Sequence, residues 1–161
     1  MSDCLNFIAV FNDKIKGSVK FHQCSKNHNV IVSFNLSGFK PNVTKAIHIH
    51  EFGDTSNGCT SLGSHLNLKN TEHGSMYINI HDSHTGDLIN NLTADNFGNF
   101  IHEYEDPRLN LFGSISKSII GCSVVIHEGE DDLGLGGDKT SKTTGNAGGR
   151  MTCAVIGKMK N

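Results

Sequence analysis

Eight short runs rich in β-branched and aromatic residues divide this sequence, near 5–11, 15–22, 29–36, 45–51, 87–94, 98–105, 119–126 and 151–157, and none of them extends into a helical period. Turn-forming clusters stand between them at Asn12-Asp13, Lys26-Asn27-His28-Asn29 and Asn96-Phe97-Gly98. Short strands at regular spacing predict an all-β fold, an eight-stranded Greek-key β-barrel or sandwich. A chain of 161 residues is long enough to bury one real core, and no linker or repeat suggests a second unit, so residues 1–161 are expected to form a single domain. The 18 glycines against two prolines favour tight turns and glycine-rich loops over disorder.

Two connections are too long for hairpins, about 52–86 and 127–150. Long loops in a compact domain tend to be functional, and both of these are full of ligand-type residues. The run before the first loop reads Ala46-Ile47-His48-Ile49-His50. On a strand, His48 and His50 share one face while Ile47 and Ile49 take the other. Taken alone, a His-x-His pair is more often surface or satisfied core than a metal site. Its surroundings shift the balance. The first loop adds His65, His73, His81, His84 and Asp87, and the second opens on His127 where a strand ends. Imidazoles suit copper and zinc better than magnesium or calcium.

Other function classes find little support. A net charge of −2 provides no basic footprint for nucleic acid. No run approaches the roughly 18 apolar residues of a membrane span. The apolar stretch Leu5–Phe11 lacks a basic flank and a small-residue cleavage pattern, so it reads as a first strand, and a cytoplasmic location is expected. The sequons at Asn35, Asn42 and Asn91 would matter only after secretion. Gly134-Leu135-Gly136-Gly137 lacks the strand, helix and Gly-Lys-Ser/Thr context of a phosphate loop. Among five cysteines, Cys4, Cys24 and Cys122 read as packed free thiols.

Taken in order, HIHEFGD, GCTSLGSH, HTGD at His84–Asp87, VVIHE, DDLGLGG, TGNAGGR and CAVIG resemble the copper/zinc superoxide dismutase family over nearly the whole chain. That resemblance implies an oxidoreductase converting two superoxide anions and two protons to oxygen and hydrogen peroxide, through alternate reduction and reoxidation of a copper ion. It implies one copper and one zinc per subunit. Copper falls to His48, His50, His65 and His127, and zinc to His65, His73, His84 and Asp87, with His65 bridging the two. His65 would also supply a proton, and Arg150 would guide the anion to copper. Asp131 would accept hydrogen bonds from His48 and His73, and Cys59 would be disulfide-bonded to Cys153. A homodimer is implied, with contacts at Gly53–Cys59, Ile119–Gly121 and Val155–Gly157, and a copper chaperone is a candidate loading partner.

The chain departs from the family pattern in several places. In the charged loop, Lys139 stands at an acidic position and Thr143 at a lysine position, with Lys142 beside it. Lys158 stands where an apolar contact residue is common. The segment between His73 and His84 is longer than usual, carries the apolar Met76, Tyr77, Ile78 and Ile80, and offers His81 as a fallback zinc ligand. The remaining His22, His28 and His102 match no role and read as exposed or structural. The alternative function is a catalytically weak, copper-binding decoy or chaperone-like relative. Such a protein would be expected to lose a copper histidine or the arginine, and this chain retains both.

Overall fold

The computed structural model describes residues 4–114 and 117–160. Among these described residues nine strands form: β1 (Leu5–Asn12), β2 (Lys16–Gln23), β3 (Val30–Ser37), β4 (Thr44–His50), β5 (Ser56–Cys59), β6 (Asn91–Thr93), β7 (Asn99–Asp106), β8 (Ser123–His127) and β9 (Arg150–Lys158). All but β5 join one antiparallel sheet in the order β6-β4-β8-β9-β1-β2-β3-β7. Its edge strands β6 and β7 follow each other through a tight turn at 94–98, so the sheet curls into a nearly closed barrel. The connections from β3 to β4 and from β7 to β8 join strands that are not neighbours, the crossed connectivity of a Greek key.

Alternation writes the barrel interior. Phe7, Ala9 and Phe11 on β1, Val19 and Phe21 on β2, and Val30, Val32, Phe34 and Leu36 on β3 all point inward. Each large side chain buried this way stabilises the fold by about 1.5–3 kcal/mol. β4 and β8 differ, because every residue from Ala46 to His50 and from Ser123 to His127 is buried. Ile47, Ile49, Val124 and Ile126 feed the barrel core. The opposite face carries the histidines, and the two long loops cover it.

Three expectations need correction. The strand expected over 87–94 is reduced to β6, because Thr85–Asp87 form a 3₁₀ turn and Leu88 and Asn90 adopt φ of 48° and 60°. Positive φ ends strand geometry, and the turn still delivers Leu88 to the core. The strand expected from 119 begins at Ser123, since Gly121 turns the chain with φ 81°. Cys4 and Cys24 are not free thiols; they form a disulfide, which leaves Cys122 as the buried free cysteine among the described residues.

Candidate metal centre

His48 and His50 project from one face of β4, and His127 ends the adjacent β8. A register irregularity between Ile126 and His127 breaks the β8–β9 ladder and pairs His127 with Arg150. Such a bulge re-aims a side chain, here toward the histidine face. His65 reaches the same face through a bridge to His50 and the Leu66 amide bond to the Ile49 carbonyl.

The hydrogen bonds define the tautomers. Carbonyls only accept, so His50 Nδ1–H donates to the Gly63 carbonyl (2.9 Å) and His127 Nδ1–H to the Gly148 carbonyl (3.3 Å). Each Nε2 is then a bare lone pair, and the two face each other across 3.3 Å. His48 donates Nε2–H to Asp131 Oδ2 (2.6 Å), and its buried Nδ1 has no hydrogen-bond partner. His65 Nε2 is likewise buried and unpartnered. One ligand atom from each of His48, His50, His65 and His127 lies within 4.8 Å of the others. Four crowded, buried lone pairs repel one another, and a bound cation converts that repulsion into coordination. Four imidazoles fit copper. Protonation offers no easy alternative: burial, with His65 next, pushes His50 down to about 3, and burial lowers His127 to about 4 and His48 well below its ordinary range.

A second group lies beside the first. His65, His73, His84 and Asp87 offer ligand atoms within 4.8 Å of one another. Asp87 Oδ1 is 3.1, 2.9 and 3.2 Å from Nδ1 of His65, His73 and His84. His73 faces carboxylates at both nitrogens, because Nε2 donates to Asp131 Oδ1 at 2.9 Å. Burial opposes its charge, but the bonds to Asp131 and Asp87 outweigh burial and raise it to about 9. Burial also opposes ionisation of Asp87, yet hydrogen bonds from His65 and His73, with His84 close beside them, hold its carboxyl far below the usual range. A divalent cation would satisfy the same electrostatics in place of the His73 Nδ1 proton. Three imidazoles and one carboxylate fit closed, tetrahedral zinc.

His65 belongs to both groups, Nδ1 turned to the second and Nε2 to the first. Asp131 links them from behind, through His48 and His73, and is itself held below the usual carboxylate range. The structure places His84 inside the second group and leaves His81 exposed and outside both.

Several supporting residues carry no signal in the sequence motifs. Asn91 pins Asp131 reciprocally, accepting from its amide (2.8 Å) and donating to its carbonyl (2.9 Å). Asn90 donates to Asp131 Oδ2 and the Gly74 carbonyl. Arg108 is buried, doubly bonded to Asp106, and donates to the His84 carbonyl (3.2 Å), the Leu88 carbonyl (2.7 Å) and Ser83 Oγ (3.1 Å). It thereby clamps the segment carrying His84 and Asp87 to the end of β7. Met76 Sδ lies 3.3 Å from the same guanidinium, while Tyr77 and Ile78 stay exposed. Asp132 accepts from Ser141 Oγ, Asn146 Nδ2 and the Gly134 amide and ties the second loop to itself. Gly145, at φ 61°, closes over the centre; a Cβ there would stand 2.4 Å from Asp131 Oδ1 and 2.5 Å from His73 Nε2.

The first group opens into a cleft of about 1040 Å³. His50, His65, His127, Lys139, Lys142 and Arg150 contribute to its wall, with Glu51 and Glu72 opposing them. Arg150 is fixed by Nη1 to the Cys59 carbonyl (2.6 Å) and by Nη2 to the Gly63 carbonyl. Three residues along β9, Cys153 is disulfide-bonded to Cys59, so the bond and the arginine secure the same loop. Of the remaining histidines, His28 and His102 are exposed, whereas His22 is half-buried against Asn6 and Cys24.

The family model described as copper/zinc superoxide dismutase matches residues 15–156. The relative named Superoxide dismutase [Cu-Zn] from Humicola lutea is 42% identical over 91% of this chain and 92% of its own length. The relative of the same name from Schizosaccharomyces pombe is 44% identical over the same shares. Among solved structures, the crystal structure of the clock protein EA4 superposes with a TM-score of 0.87 at 36% identity, covering 99% of this chain and 98% of that one.

Proposed function

The chain belongs to the copper/zinc superoxide dismutase family, and from that premise we propose that it converts two superoxide anions and two protons to oxygen and hydrogen peroxide. In this reading His48, His50, His65 and His127 hold copper, and His65, His73, His84 and Asp87 hold zinc. The observation that carries it is the pair of buried ligand groups sharing His65, one of them opening into a cleft beside Arg150. When bound, copper supplies a one-electron couple and zinc a fixed structural charge.

The chain's own residues do the rest. Arg150 uses Nη1 and one Nη2 hydrogen on loop carbonyls, which leaves Nε–H and the other Nη2 hydrogen to receive a small anion. Three cations, Lys139, Lys142 and Arg150, oppose two anions, Glu51 and Glu72, so the cleft is net positive by one in a chain that is net negative. Lys142 stands 3.7 Å from Glu72 in an exposed pair, which softens its pull. His65 Nε2, buried yet on the cleft wall, is the atom at which the chain can hold a proton for the second superoxide. Asp131 fixes the orientations of His48 and His73.

The same reading takes residues 1–161 as one dismutase domain, cytoplasmic and homodimeric. Gly53, Gly121 and Val155 come together on one surface where Val155 and the neighbouring Phe52 are exposed, which supports a self-association face there. The test is superoxide dismutation on protein whose copper and zinc are quantified in the same sample. Turnover near the diffusion limit, about 10⁸–10⁹ M⁻¹s⁻¹, is expected at one copper and one zinc per chain. His127→Ala should abolish it while zinc stays bound; full activity in that variant overturns the assignment.

A further inference from the structure

Outside the metal centre, one cluster of ligand-type side chains remains among the described residues, and the barrel register builds it. β1 and β2 pair with Leu5 opposite Gln23 and Asn6 opposite His22, so the next step of the same register sets Cys4 opposite Cys24. His22 and Cys24 lie two apart and share a face. Ligand atoms of Cys4, His22 and Cys24 lie within 4.8 Å of one another, and all three residues are half-buried. Tetrahedral coordination by two thiolates and an imidazole places sulfurs ~3.7 Å apart, from Zn–S distances near 2.3 Å, so once the S–S bond is broken the two sulfurs must part around the ion, with His22 Nε2 already beside Cys24 Sγ.

The histidine is prepared for a cation. Asn6 Oδ1 lies 2.7 Å from His22 Nδ1 and can only accept, so Nδ1 carries the proton and Nε2 carries a lone pair. That lone pair points at Cys24 Sγ, 3.2 Å away. In the disulfide the sulfur has no hydrogen to offer it. A ligating histidine whose other nitrogen donates to an oxygen is the usual arrangement around protein-bound zinc. Beside Cys24 and His22 lies an open pocket of about 450 Å³, also lined by His28 and Glu105, which provides an entry path and room for a fourth ligand.

We propose that Cys4, His22 and Cys24 form a redox-gated site that binds one Zn²⁺ when the Cys4–Cys24 disulfide is reduced. A dithiol reductant breaks the S–S bond, losing two electrons and two protons as it closes to its own disulfide, and each cysteine gains one electron and one proton. Binding of Zn²⁺ then releases the two thiol protons to solvent. The oxidised form has no thiolate and holds no metal there.

The experiment uses full-length protein with its principal centre loaded. A phosphine takes up the oxygen of one water and leaves two thiols, adding no competing thiol to the solution. After its removal the protein is dialysed against buffered Zn²⁺ and metal is counted per chain. One zinc beyond the principal-site content is expected in reduced wild type and none in oxidised wild type. The extra equivalent should vanish in Cys24→Ser and in Cys4→Ser, weaken at least tenfold in His22→Gln, and persist in the Cys59→Ser/Cys153→Ser and Cys122→Ser backgrounds. In reduced wild type, Zn²⁺ should also slow alkylation of Cys4 and Cys24 at least tenfold, mapped by mass spectrometry. No extra zinc on reduction, extra zinc undiminished in Cys24→Ser, or alkylation indifferent to zinc overturns the proposal.

Discussion

Arg108 provides the sharpest test of how the barrel supports the metal loop. Its guanidinium bonds Asp106 through Nε (2.9 Å) and Nη2 (2.6 Å), and Asp106 is fully buried. Replacing Arg108 by Met keeps much of the volume but strands that carboxylate and removes the donor from the His84 and Leu88 carbonyls. Breaking a buried pair from one side costs about 3–5 kcal/mol. In a chain of this size each kcal/mol lowers Tm by about 2–4 °C, so Arg108→Met should melt about 8–16 °C lower if the loss is about 4 kcal/mol. The loosened segment carries His84 and Asp87, so zinc affinity should fall about 10–100-fold, the usual effect of losing a ligand's support. Calorimetry of the metal-free protein and chelator competition for zinc measure the two effects. The double variant Asp106→Leu/Arg108→Met should lose clearly less than the two single losses added, because neither partner is left buried alone. A Tm drop under about 3 °C together with unchanged zinc affinity would show that the clamp does not organise the loop.

Cys59→Ser should cost about 4–5 kcal/mol on the chain-entropy estimate for a 94-residue separation; an unchanged Tm in chemical denaturation and calorimetry would contradict it. Asp131→Asn turns an amide N–H toward a histidine N–H, so metal affinity should fall about 10–100-fold in competition titrations; wild-type affinity at both sites would refute the linking role. For the metal-free protein, His50 and His127 stay neutral in the fold down to about 3 and about 4. Their unfolded forms bind protons below about 6.5, so the unfolded state carries more protons and stability falls as pH drops from 6.5 to 4. His73, raised to about 9, is protonated in both states over most of that window and adds little slope. A Tm that stays flat across it would refute the burial argument.

The barrel was legible because period-two alternation survives in Leu5–Asn12, Lys16–Gln23 and Val30–Ser37, where one face is core and the other is water. The histidine face was legible because β4 is buried on both sides, so imidazoles fill positions where solvent-facing polar residues would otherwise stand. The Cys4–Cys24 bond was not, because it depends on the register of β1 against β2, and register follows from packing rather than from either cysteine's surroundings. Arg108 was missed for a related reason: in sequence it is a charge two residues from an acid at a strand end, indistinguishable from an exposed pair. Leu88 and Ile89 read as strand because apolar runs do, while the positive φ of Leu88 and Asn90 has no signature in side-chain chemistry.

The Gly63 carbonyl accepts from both His50 Nδ1 and Arg150 Nη2. One peptide plane therefore serves as the common datum for an imidazole of the first group and for the guanidinium beside it. Fluctuations of the loop displace both together, so error in their separation is common-mode and largely cancels. Gly63 adopts φ 74°, and a Cβ there would stand 2.7 Å from Glu51 Oε2 and from the Phe52 ring. A side chain at this position would tilt that plane, and the two groups would lose their alignment with each other before the barrel lost its shape.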